Sequence, residues 1–112
     1  MYRFKKIPID VYGDYVYFIK CDSNQYVRAM RKQFGVNALK PSFDVSGWFC
    51  TYSIDNQNQY ILWVEDWDYL AHEILHLVCC FFRDKGIKLT KSSEEAYAYL
   101  TGFLDNRIRR LK

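Results

Sequence analysis

The sequence predicts an α+β fold: one small domain in the order ββαββαα, with a mainly antiparallel sheet packed against a helix that carries H-E-x-x-H and against a C-terminal helix. Three observations carry this expectation. The 112 residues suit one domain, and half are apolar, with ten Tyr, eight Phe and three Trp, far from the composition of a disordered chain. Four short runs rich in β-branched and aromatic residues fall into two pairs, each pair interrupted by turn formers. Three longer segments repeat apolar residues at helical spacing, and no repeat, linker or low-complexity stretch divides the chain.

Residues 2–20 read as a hairpin. Tyr2, Phe4 and Ile7 alternate loosely with charges, residues 15–19 form an aromatic and β-branched run, and Gly13-Asp14 supplies a two-residue turn. Pro8 lacks an N–H for the ladder, which puts the first strand at a sheet edge or a bend. Asp22 followed by Gln25 predicts a helix start of capping-box type, and Gly35 its stop; Tyr26, Met30 and Phe34 make the apolar stripe. Residues 36–46, with Asn37 and Pro41, read as a loop. Residues 48–54 and 59–64 then form a second hairpin around a polar four-residue turn, 55–58.

The next helix is expected over residues 67–84, with Asp66 as cap, Asp68 in its positive first turn and Gly86 past its end. Leu70, Ile74, Leu77, Val78 and Phe81 crowd its broad side. His72 and His76 share a narrower strip with Tyr69, Cys79 and Arg83. The last helix is expected to begin near Ser92 or Ser93 and run through Leu111, with Ala96, Leu100, Phe103, Leu104, Ile108 and Leu111 as its core stripe. Glu95 lies to one side of that stripe with Tyr99, Gly102 and Asn106, and small Ala98 and Gly102 would admit another helix at close range.

Chemistry concentrates in His72-Glu73-Ile74-Leu75-His76, which holds the only two histidines of the chain. Residues four apart on a helix lie on one face, so both imidazoles can meet one metal ion at about 2.0–2.1 Å, with Glu73 beside a water held there. Catalytic zinc takes three protein ligands and one open position. The third must here be Asp, Glu or Cys. Glu95 is favoured, because an antiparallel helix pair joined through residues 86–91 would return it over the histidine strip. If Glu95 instead closes a capping box with Ser92, Glu94 inherits the role. Cys79, one turn beyond His76, is a weaker alternative, and Asp68 is a candidate to accept the second ring N–H of His72.

HEILH on one helix, followed by Ser92-Ser93-Glu94-Glu95-Ala96-Tyr97-Ala98-Tyr99-Leu100 on the next, resembles the zincin metallopeptidases, in particular the gluzincin branch with a downstream glutamate ligand. H-E-x-x-H, Gly86 and E-A-Y-A-Y-L-T-G also resemble small uncharacterised proteins of bacteriophages and prophages. The likeness spans roughly residues 60–104. Cys79 and Phe82 stand where the metzincin extension needs Gly and His. The resemblance implies a zincin-like domain over residues 1–112, Zn²⁺ on His72, His76 and Glu95, and Glu73 as general base in peptide hydrolysis. Such enzymes often set a His or Tyr against the oxyanion, which implies Tyr99 or Tyr69 here. Many also align substrate on a strand edge, for which residues 59–64 are the natural candidate.

Charge narrows the partners only slightly. The net charge is +3, partly from Arg107, Arg109, Arg110 and Lys112, which complement the negative end of a helix. An N-terminus without a long apolar run, no segment fit to span a membrane and four cysteines without C-x-x-C spacing predict a cytoplasmic protein with free thiols, in a host cytoplasm if phage-encoded. A zinc-dependent peptidase acting on a protein or peptide is the first expectation. The alternatives are a non-catalytic zinc-containing accessory protein that binds a host or virion protein, and a nucleic-acid-associated protein similar to the SprT-like zincins.

Overall fold

In the computed structural model the described residues are 2–9 and 12–112, with Ile54 described by its backbone alone. Strands β1 (Arg3–Ile9) and β2 (Asp14–Lys20) precede helix α1 (Ser23–Phe34). Strands β3 (Gly47–Ile54) and β4 (Gln57–Val64) follow, and after a short 3-10 turn (Trp67–Tyr69) come helices α2 (Leu70–Asp84) and α3 (Glu94–Arg109). The expected ββαββαα order is present. The strands form one sheet in the order β1-β2-β4-β3, antiparallel at both outer pairs and parallel between β2 and β4. The sheet is therefore mixed, because α1 carries the chain across before the second hairpin folds back beside β2. Pro8 lies on edge strand β1, opposite Tyr15, as its missing donor requires.

Side-chain alternation builds a core on each face of this sheet. Val16, Phe18, Tyr60, Leu62 and Val64 meet α2 and α3 through Leu70, Ile74, Leu77, Leu100 and Leu104. Ile19, Ile61 and Trp63 meet α1 through Tyr26, Ala29 and Met30. α2 and α3 thus lie side by side on one face, with α1 alone on the other. The helices meet through Phe82 and Tyr97, whose ring centroids are 4.6 Å apart. Among the described residues no helix is long and apolar enough to cross a membrane.

Local chemistry explains the element ends. Asp22 Oδ1 accepts from the Gln25 N–H at 2.8 Å while Gln25 Oε1 accepts from the Asp22 N–H at 3.2 Å, the predicted capping box. Gly35 ends α1 at φ 67°, a left-handed conformation in which a Cβ is disfavoured. Asp22→Ala is expected to cost about 0.5–2 kcal/mol of stability, read as a lower urea midpoint with an unchanged slope.

The second hairpin turns on two residues rather than four. Asp55 and Asn56 both take positive φ, 53° and 63°, as a type I′ turn demands, and Gln57 and Asn58 already belong to β4. Similarly, Asp14 begins β2 opposite Ile9 instead of forming a turn with Gly13; residues 10 and 11 of that connection lie outside the described residues. The segment after Asp66 starts as a 3-10 turn before α2, with Asp66 Oδ1 accepting from the Asp68 N–H at 2.9 Å. Ala98 and Gly102 are exposed, and nothing lies within 4 Å of a Cβ built on Gly102, so the expected close helix approach there does not occur. Tyr97 takes the buried contact instead.

The four cysteines are free. Burial pushes the Cys21 thiol up from its usual 9.0 to about 11, and burial likewise raises Cys50. For Cys21 the unfolded chain loses its proton first, so folded stability is complete below about pH 9 and falls as pH rises towards 11. Urea midpoints measured from pH 8 to 11 are expected to drop more steeply in the wild type than in Cys21→Ala. Parallel profiles would refute this assignment.

Candidate metal centre

Helix α2 has two chemically different flanks because its apolar residues at three- and four-residue spacing face the sheet. Leu70, Ile74, Leu77, Val78 and Phe81 are buried there, and His72 and His76 face away from the sheet and are exposed. Their Nε2 atoms lie 3.1 Å apart and their ring centroids 4.7 Å apart. Two ligands at about 2.0–2.1 Å in a tetrahedral shell stand about 3.3–3.4 Å apart, so the pair nearly has the spacing one zinc ion requires. A ring pair meeting at its Nε2 atoms fits a shared cation.

Glu73 sits on the flank of α2 nearest β3. Among the described residues it is the one buried charged side chain, 6 % exposed. Its carboxylate Oε2 lies 3.8 Å from His72 Nε2 and makes no hydrogen bond among the described residues. Its stem is shielded while its oxygens keep contact with solvent, since among the described residues the one buried side-chain polar atom without a partner is Trp48 Nε1. The His72 side chain is 65 % exposed, so the histidine side of the site is open to solvent.

The structure does not bring every sequence-predicted residue to this point. Glu95 lines a half-open cavity of about 390 Å³ with Ile9, Tyr12, Tyr99 and Phe103, on the flank of α3 that meets the first hairpin. The expectation that α3 returns Glu95 over the histidine strip is not met in this conformation. The physical reason is the phase of α3: Tyr97, Leu100, Leu104 and Ile108 are buried, which turns the line of Glu95 and Tyr99 away from α2. Nor does Glu95 close a capping box. Ser93 is the cap residue, makes no side-chain cap, and accepts instead from the Thr90 N–H at 2.8 Å. Glu94 is exposed at the first position of α3. Among the described residues no group of three His, Cys, Asp or Glu is placed to hold a metal ion; His72 and His76 are a pair of possible ligands, with Glu73 beside them and no third ligand.

Tyr99 is 65 % exposed on the Glu95 flank, whereas Tyr69 ends the 3-10 turn one turn ahead of His72. Cys79 lines a separate cavity with Arg83, Ile87, Leu89 and Tyr97. The strand expected to offer a free edge, residues 59–64, is central: β4 pairs with β2 on one side and β3 on the other. The free edge on this side of the sheet belongs to β3, because β4 is the strand of the second hairpin that pairs with β2. Sequence reasoning passed over Gly47, the first residue of β3, which lies against Glu73. A lone glycine at a strand start carries no signal of that contact.

Comparison of the chain with family models, with curated proteins and with solved structures returned no match.

Proposed function

We propose that this protein is a zinc-dependent peptidase in which His72 and His76 would supply two of the three protein ligands that catalytic zinc takes, Glu73 is the general base, and the third ligand would have to be brought up by a carboxylate such as Glu95. One observation carries the reading: the largely shielded Glu73 side chain brings its carboxylate to 3.8 Å from one of two solvent-facing imidazoles whose Nε2 atoms converge at 3.1 Å. A non-catalytic zinc site would have no use for Glu73. When bound, Zn²⁺ supplies a Lewis acid that polarises the scissile carbonyl and makes a water acidic near neutral pH. The chain's own residues do the rest. Glu73 takes the proton of the attacking water and passes it to the departing amine.

The histidines act as neutral ligands through Nε2, presented by two successive turns of one rigid helix. The substrate is proposed to add as a further strand along β3, whose first residue lies under Glu73. The test is elemental analysis of protein purified without a histidine tag, together with a fluorogenic peptide library. Near-stoichiometric zinc and cleavage abolished by a chelator are the expected result. Zinc-free protein that does not take up added zinc, or cleavage indifferent to chelation, would overturn the proposal.

A further inference from the structure

We infer that Gly47 is a positioning residue for Glu73, holding its carboxylate beside the histidine pair by leaving space for it. The kinetic consequence rests on the peptidase reading, whereas the steric claim stands on the coordinates alone. A Cβ built at Gly47 would lie 3.2 Å from Glu73 Cγ, 3.1 Å from the Trp63 carbonyl oxygen and 3.2 Å from Val64 Cγ1. All three distances are tighter than ordinary van der Waals contact, so a neighbour must give by a few tenths of an ångström.

The neighbours differ in how easily they give way. The Trp63 oxygen belongs to the main chain of β4, which is paired on both sides, and Val64 is fully buried with a stiff, β-branched side chain. Glu73 has no hydrogen bond among the described residues to hold it and can rotate about its own side-chain bonds. It is therefore the group displaced. Gly47 itself is not in the left-handed region; the glycines with positive φ are Gly13, Gly35 and Gly86. The backbone at 47 would accept alanine, so the glycine there serves space and not conformation.

Gly47→Ala is expected to keep zinc, shift the Glu73 side chain by a few tenths of an ångström, and lower kcat several-fold with little change in KM, less than the roughly 100-fold that misplacing a reacting group by about 1 Å costs. Gly102→Ala, on an open helix face, is the control and should leave kcat unchanged. A crystal structure of Gly47→Ala reads the steric claim without any activity. An unmoved Glu73, or an unchanged kcat on a peptide that the wild type cleaves, would overturn the inference. A wild type that neither binds zinc nor cleaves refutes the peptidase reading, and the crystal structure then decides the steric claim alone.

Should Gly47→Ala not fold, it is made in a Glu73→Ala background, which removes the Cγ. Recovery of folding there supports the contact. A double variant as unfolded as the single one would count against it.

Discussion

Glu73→Gln is expected to bind zinc and fold as the wild type does while peptide hydrolysis falls about 10²–10⁴-fold, the usual contribution of a positioned general base. Glutamine keeps the shape of the side chain and removes its ability to take a proton. Since the Glu73 side chain has no hydrogen-bond partner among the described residues and glutamine matches its shape, the replacement should leave stability within about 0.5 kcal/mol of the wild type. That combination is diagnostic: a purely structural acid would lose stability on substitution, whereas a base loses rate. Thermal midpoint, zinc content and single-turnover cleavage of a fluorogenic peptide are the three measurements. Undiminished cleavage by Glu73→Gln would remove Glu73 from the mechanism.

His72→Ala and His76→Ala are expected each to abolish stoichiometric zinc binding. Neither imidazole contributes to the core: both rings lie on the exposed side of α2, so the metal-free variants should fold with stability within about 0.5 kcal/mol of the metal-free wild type. The difference appears only with zinc present. At 100 times the dissociation constant a ligand adds about 2.7 kcal/mol to the stability of a protein that binds it only when folded. Zinc should raise the melting temperature of the wild type and leave both variants unmoved. Equal stabilisation in all three proteins would place the ion elsewhere.

Much of the architecture can be read from the chain because local signals act locally. The α1 capping box is written in Asp22 and Gln25, the edge position of β1 in Pro8, and the two faces of α2 in the spacing of its apolar residues. The histidine pair is legible for the same reason, since i and i+4 share a helix face whatever surrounds them. What the chain does not reveal locally is tertiary phase. Whether Glu95 turns towards α2 or towards the first hairpin depends on which residues α3 buries, and the choice of Tyr97 over Ala98 and Gly102 rotates the helix away from the expected orientation. The parallel β2–β4 pair and the central place of β4 are equally non-local. So is the meeting of Gly47 with Glu73, which lies across two different elements.

The parallel β2–β4 ladder also sets an order of events during synthesis. Val16 pairs with Tyr60, 44 positions later (60 minus 16), so this closure is entropically the slow one, while both hairpins zip quickly on short loops. The platform on which α2 rests is incomplete until β4 has inserted. A chain therefore presents its imidazoles on a docked, rigid helix only after that insertion, and metal binding at the proposed site would follow folding rather than trigger it.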